Sequence, residues 1–170
     1  MRHSSLRRQC PSSARACGTS LDPTTIIAAW INFNSTDITS NGYRMLYCPD
    51  SVWYLNSLST TWQQRYKEEP TTGVAKDNEA LVLGGGGQMW GETADPSDVI
   101  QTIWPGMAAI AERLWSPKDV TDTETAEPRL QAFRCLMESR GVAMAPITNK
   151  ESRSAPSGPG SCTEQRRVRL

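Results

Sequence analysis

Ala80-Leu81-Val82-Leu83-Gly84-Gly85-Gly86-Gly87-Gln88-Met89-Trp90-Gly91-Glu92 is the stretch that decides the fold. A short apolar run passes through four glycines to an aromatic residue, with a carboxylate two positions further on. The run has strand length, and glycine bounds it as strand ends are commonly bounded. The same design recurs upstream. Thr25-Ile26-Ile27-Ala28-Ala29 ends in Trp30, and Tyr43-Arg44-Met45-Leu46-Tyr47 leads, after Pro49, to Trp53-Tyr54-Leu55-Asn56. Strands each followed by a loop of polar and aromatic residues are the layout of a (β/α) barrel, whose site lies at the strand ends.

The glycine run does not read as a phosphate loop. No Gly-Lys-Ser/Thr follows, and the next lysine is Lys118. Close backbone packing at a strand end is the expectation there. Between the strands, Thr61 to Glu68 reads as a short helix and Thr71 to Glu79 as a polar loop. Downstream, Trp104-Pro105 opens a helix with Met107, Ile110, Ala111 and Leu114 on one face, stopped by Pro117. A second helix is expected over Glu127 to Arg140, with Pro128 near its start and Gly141 past its end. Leu130, Phe133, Leu136 and Met137 form its apolar side. Three strands and two well-marked helices do not close a barrel, which takes eight strands and about 250 residues. The chain therefore reads as a piece of a larger α/β fold.

The ends are different in character. Residues 1–24 are rich in Ser and Arg and read as a disordered or non-native segment. Residues 25–147 carry the patterned domain. Residues 148–170, with a Ser/Gly/Pro cluster and a basic end, read as a flexible tail. Lys+Arg 18 balances Asp+Glu 18, so nucleic acid is a poor partner for this composition. No apolar run approaches the ~20 residues needed to span a bilayer. His3 is the only histidine, which leaves serine–histidine, cysteine–histidine and histidine–metal mechanisms without a base or ligand. Cys10, Cys17, Cys48, Cys135 and Cys162 form no Cys-x-x-Cys pair, so neither zinc nor another metal is expected. Spacing alone leaves a Cys135–Cys162 disulfide and free thiols equally open.

Five segments in order resemble one family. Ile26 to Trp30 fits a strand ending in Trp. Trp53-Tyr54-Leu55-Asn56 is similar to a W-Y-L-[DN] segment, and Gly84-Gly85 through Met89-Trp90-Gly91-Glu92 to G-G-x-x-x-M-W-G-E. Ile103-Trp104-Pro105 through Ala111-Glu112-Arg113-Leu114-Trp115-Ser116 matches an L-W-P…A-E-R-L-W-S helix. Arg129-Leu130, Arg134-Cys135 and Arg140-Gly141 follow a further helix pattern. Together they resemble the family 20 β-N-acetylhexosaminidases from about Ile26 to Pro146.

The resemblance implies the C-terminal part of a (β/α)8 barrel, about its last three βα units. It implies removal of terminal N-acetylglucosamine or N-acetylgalactosamine from oligosaccharides or glycoconjugates, without a cofactor. The sugar's own 2-acetamido carbonyl attacks the anomeric carbon, an exception to the two-carboxylate scheme. By the same resemblance Tyr54 donates to the acetamido oxygen as charge develops there. Trp30 walls the acetamide cage, Trp90 lies under the pyranose, and Glu92 and Asn56 meet its outer hydroxyls. The general-acid Glu and the orienting Asp belong to an earlier strand, and no Asp-Glu neighbour occurs here. The chain alone is expected to be inactive. A non-catalytic amino-sugar binder and a truncated gene model remain open beside the enzyme.

For a full-length parent, the resemblance also implies a lysosomal, vacuolar or secreted location and a homodimer. A Cys after a Pro-rich tail segment fits a Cys135–Cys162 pairing in this family. Trp53, Trp62, Trp104 and Trp115 are expected to pack in the core, and Glu112 and Arg113 to make helix-to-barrel contacts. Gly86 stands where the family usually has Glu, and Gly106 where it usually has Arg. Asn34 to Asn41 is short for the helix between two strands, and Asn34-Ser35-Thr36 is a glycosylation sequon.

Overall fold

The computed structural model describes residues 21–147, so the expectations for residues 1–20 and 148–170 lie outside the described residues. The element order is β1 (Ile26–Ala29), α1 (Ser35–Ser40), β2 (Arg44–Tyr47), α2 (Asp50–Trp53), α3 (Trp62–Lys67), a 3₁₀ helix (Lys76–Leu81), β3 (Val82–Gly85), α4 (Val99–Ile103), α5 (Gly106–Trp115) and α6 (Thr123–Ser139). These elements form two compact units. Among the described residues, one comprises 21–48 with Pro70–Gly85, the other Pro49–Glu69 with 86–147.

The first unit is a parallel sheet in the order β1-β2-β3. Ile27 pairs with Met45 and Ala29 with Tyr47 across the first ladder. In the second ladder Met45 meets Val82 but Leu46 meets Gly84, so Leu83 is an extra residue at an irregularity. Gly84 takes φ +137° there, a conformation open to glycine and strained for other residues. One sheet face is covered. Ala29, Ile38 and Met45 are buried on it, with Ile27, Phe33, Tyr43, Tyr47 and Val82 against them. The other face exposes Ile26, Leu46 and Leu83. The helix between β1 and β2 does form, in six residues, because Asn34 caps it. Asn34 Oδ1 accepts from the amides of Thr36 (2.9 Å) and Asp37 (3.4 Å). The Asn of the sequon thus supplies a helix cap.

The second unit is helical. Thr61 and Gln64 make a reciprocal capping box at the start of α3. Trp62, Tyr66, Ala108, Ala109, Ala126, Leu130, Met144 and Ile147 form its core, with Trp104, Phe133 and Met137 packed against them. Two helices depart from expectation. Of the face expected on helix α5, Ile110 is fully buried while Met107, Ala111 and Leu114 are half-buried. Gly106, Ala108, Ala109 and Arg113 complete the buried side, because small residues let the helix approach α3 closely. Trp115 faces away from this core and is 91% exposed, so it is not the packing residue the sequence suggested. Helix α6 starts at Thr123, four residues before Glu127, because Asp122 accepts from the amides of Glu124 and Thr125. Pro128 is consequently inside the helix, and Leu136 lies outside its buried stripe at 43% exposure. The polar loop expected over Thr71 to Glu79 ends in the 3₁₀ helix, and β3 begins at Val82 rather than Ala80.

Tyr66, Glu112 and Arg129 tie α3, α5 and α6 together. Tyr66 donates to Glu112 Oε1 at 3.2 Å, and Arg129 donates to the same oxygen from Nε (3.0 Å) and Nη2 (2.5 Å). Glu112 thus joins α5 to the helices α3 and α6, where a helix-to-barrel contact was expected. Burial, and then the Glu112 carboxylate, push the Tyr66 phenol above its ordinary pKa. The unfolded chain therefore loses this proton at lower pH than the folded one, near pH 10. Folding benefits fully below that point and loses the benefit as pH climbs through the raised folded value. The alkaline fall in Tm should be steeper for the wild type than for Tyr66→Phe. Equal slopes between pH 9 and 11 would refute the linkage.

The glycine run divides in the same physical terms. A Cβ on Gly87 would lie 2.8 Å from Ile110 Cδ1 and 3.3 Å from the Trp53 oxygen, whereas nothing lies within 4 Å of one on Gly86. Gly87→Ala should cost about 1–3 kcal/mol by overpacking, and Gly86→Ala should be neutral or stabilise by about 0.4–1 kcal/mol. Thermal unfolding of the two variants checks the contrast.

Candidate functional site

The second unit joins two loop segments that are far apart in the chain. Tyr54 makes an isolated parallel bridge with Gln88. The Leu55 amide donates to the Gln88 oxygen (2.8 Å), and the Gln88 amide to the Trp53 oxygen (3.1 Å). Two residues beyond Tyr54 and four beyond Gln88, Asn56 Nδ2 donates to Glu92 Oε2 at 3.4 Å. Four of the five expected site residues, Tyr54, Asn56, Trp90 and Glu92, therefore lie on two strands of backbone that are hydrogen-bonded side by side.

Their environments differ. Tyr54 and Asn56 are half-buried and Glu92 is exposed. Trp90 is 44% exposed, which leaves a large aromatic surface open to a ligand. Such surfaces suit the apolar face of a sugar ring. Two amide oxygens at this junction, Asn56 Oδ1 and Gln88 Oε1, are buried and accept no hydrogen bond among the described residues. Gln88 itself is held by donation from Nε2 to the Gly86 oxygen (3.0 Å). Trp30 follows β1 in the first unit and is 40% exposed.

The segment from Tyr54 to Thr60 is fastened by a residue that the sequence did not single out. Arg65 is 5% exposed. Its Nη2 donates to the oxygens of Tyr54 (2.9 Å) and Ser57 (3.1 Å), and its Nη1 donates to the Thr60 oxygen. Burial pulls its pKa down to about 10, which leaves the guanidinium charged at neutral pH. The indole of Trp53, fully buried as expected, donates to the Arg65 oxygen at 3.1 Å. The sequence did hold a signal. Trp62, Arg65 and Tyr66 share the buried stripe of α3, and a cation at i+3 on an apolar stripe calls for a compensating set of acceptors.

Arg113 is a second buried arginine with a different task. It donates to the oxygens of Ser116 (3.2 Å), Pro117 (2.5 Å) and Val120 (2.8 Å), closing the end of α5 as a structural contact. Cys135 is in a disulfide, and its expected partner Cys162 lies outside the described residues. Among the described residues no cluster of His, Cys, Asp and Glu could hold a metal ion. No helix among them is long and apolar enough to cross a membrane.

Comparison with known proteins bears on this arrangement. The family model described as "Glycosyl hydrolase family 20, catalytic domain" matches residues 11–118. The chain is 44% identical over 157 residues to Beta-hexosaminidase 1 of Arabidopsis thaliana, covering 87% of this chain and 28% of that one. It is 36% identical over 134 residues to Beta-hexosaminidase subunit beta of Mus musculus, covering 75% of this chain and 25% of that one. The chain thus spans little more than a quarter of the length of these relatives. Among solved structures, a chitobiase of Flavobacterium johnsoniae is similar with a TM-score of 0.60 and 27% identity, over 69% of this chain and 19% of that one. A beta-N-acetylhexosaminidase from Bacteroides fragilis shares the fold at 17% identity, with a TM-score of 0.64 over 82% of this chain and 32% of that one. With a parallel α/β sheet and both loop motifs in place, the chain belongs to glycosyl hydrolase family 20 and matches its catalytic domain.

Proposed function

We propose that this chain supplies the sugar-binding part of a β-N-acetylhexosaminidase, as about the last three βα units of a (β/α)8 barrel. The observation that carries the reading is the meeting of the Trp53–Asn56 and Met89–Glu92 segments through Tyr54–Gln88 and Asn56–Glu92. The barrel reading draws further support from the sheet. A parallel sheet normally has both faces covered, yet here the face bearing Ile26, Leu46 and Leu83 is apolar and exposed.

In this reading the substrate ends in N-acetylglucosamine or N-acetylgalactosamine. Its acetamido oxygen is nearly neutral when bound and gains charge as it attacks the anomeric carbon. The Tyr54 hydroxyl, donating to that oxygen, favours the transition state over the ground state. Trp90 stacks under the ring, and Glu92 and Asn56 select its hydroxyl pattern. Trp30, in the first unit, has the wall of the acetamide cage by family resemblance. The orienting Asp and the general-acid Glu come from outside this chain, and no cofactor or metal takes part. A lysosomal, vacuolar or secreted setting, a homodimeric full-length parent and a Cys135–Cys162 bridge belong to the same reading.

The test is a chimera with residues 25–147 in place of the matching segment of Arabidopsis Beta-hexosaminidase 1, assayed on a chromogenic N-acetylglucosaminide. The chimera should turn over, and the isolated chain should not. Tyr54→Phe should lower kcat about 100- to 1000-fold, and Trp90→Ala should raise KM as well, because stacking acts on substrate and transition state alike. A chimera in which Tyr54→Phe keeps near-normal turnover overturns the site assignment. Turnover by the isolated chain that is lost on Glu92→Gln overturns the assignment of the catalytic carboxylates elsewhere. Non-reducing peptide mapping should recover Cys135 joined to Cys162, and any other partner refutes that bridge.

A further inference from the structure

Arg65 lies outside every motif that points to the sugar site, and its surroundings call for an explanation. A guanidinium taken out of water costs several kcal/mol unless its donors are satisfied. Here Nη1 and Nη2 bond main-chain oxygens, those of Tyr54, Ser57 and Thr60, while the buried Nε makes no hydrogen bond among the described residues. All three acceptors belong to one short loop, so a single planar group holds both its ends. A planar fork of donors suits this task better than the point charge of a lysine. The anchor is fixed in turn: Trp53, the residue before the loop, donates its indole N–H back to the Arg65 oxygen.

Room for the guanidinium comes from α5. A Cβ on Gly106 would lie 3.1 Å from Leu55 Cδ2, 3.3 Å from Arg65 Cδ and 3.4 Å from Arg65 Nε. With the backbone as it stands, a Cβ at position 106 crowds both the loop and its anchor, and each would have to give slightly. Arg65 and Gly106 are therefore complementary, the one filling what the other leaves open.

We propose that Arg65 is a positioning residue of the sugar site, holding the Tyr54–Thr60 backbone so that Tyr54 and Asn56 present their polar groups in one fixed direction, with Gly106 as its required neighbour. The proposal rests on the assignment of Tyr54 given above. Its chemistry is that of a tether: it touches no substrate and moves no proton.

The test uses the full chain carrying ring-labelled tyrosine, with the Tyr54 signal identified by its loss in Tyr54→Phe. In Arg65→Ala the Tyr54 ring signal should shift and broaden while those of Tyr43 and Tyr47 stay in place. Amide exchange over residues 55–60 should speed up about ten- to a hundredfold, as expected for losing charge-assisted hydrogen bonds to one loop. Ethylguanidinium, added well below the concentration that unfolds the chain, should restore both readouts in Arg65→Ala and leave the wild type unchanged. Arg65→Lys should recover less than the added guanidinium does.

Gly106→Ala provides a second route that keeps Arg65 itself. It should loosen the same segment, and more mildly so when combined with Arg65→Ala than the separate effects would add up to. A Tyr54 signal and loop exchange that are unmoved in Arg65→Ala, with only Tm lowered, would show a purely structural role and overturn the proposal. If Arg65→Ala does not fold, a wild-type-like Gly106→Ala overturns it equally. None of these readouts needs substrate. An intact tether beside a neutral Tyr54→Phe in the chimera would sink the functional reading and leave the tether standing.

Discussion

Parallel pairing of β1, β2 and β3 is the constraint from which the rest of the molecule follows. Each parallel strand obliges the chain to travel back before the next can begin. The first return is made in very little sequence, by a six-residue helix capped by Asn34. The second is long and includes Pro49–Glu69 of the other unit. All three strands point the same way, so the chain leaves the sheet at one end each time. The segments that follow carry Trp30, then Tyr54 and Asn56, then Trp90 and Glu92.

In the second unit, helix α5 is seated through two missing side chains. Gly87 lets the backbone after β3 reach Ile110 and Met107, and Gly106 lets Leu55 and Arg65 reach the start of the helix. The Gly87 approach is closer than a Cβ allows, at 2.8 Å, and the Gly106 approach would leave a Cβ tightly pressed, at 3.1 Å. The remaining contacts of α5 are made by small or charged groups. Ala108 and Ala109 pack with Trp62 and Tyr66, and Glu112 joins Tyr66 to Arg129. The helix is held by close approach and directed polar contacts more than by bulky apolar residues.

This explains where sequence reading succeeded and where it stopped. The three strands were legible because β-branched and aliphatic runs bounded by glycine, proline and aromatic residues have few other readings. Helix α3 was legible from its length and the following proline. The start of α6 was not, because Pro128 resembled a first-turn proline while the true cap, Asp122, stood outside the apolar pattern. The face of α5 was read correctly at Ile110 but misjudged around it, because periodicity favours large residues, whereas burial there also follows Gly106, Ala108 and Ala109. Trp115 was assigned to the core on residue type alone, although its position turns it to solvent. For the site, the motif residues could be named from sequence, but their joining by Tyr54–Gln88 could not. Gln88 fills an unspecified position of its motif, and the place of Arg65 on an apolar stripe of α3 calls for acceptors without saying which backbone oxygens supply them.

The loop tied to Arg65 is held by its main-chain oxygens, and its outermost side chain, Leu58, is 73% exposed. Carbonyl groups are common to every amino acid, so this recognition is indifferent to the side chains along the loop. Replacing Leu58 or Ser59 leaves these carbonyl contacts in place, whereas Ser57 and Thr60 also join each other through their hydroxyls at 2.9 Å. The number of residues between Tyr54 and Arg65 has no such freedom, since one insertion would shift an oxygen away from the guanidinium. In this segment the spacing of the chain is constrained more tightly than most of its side chains.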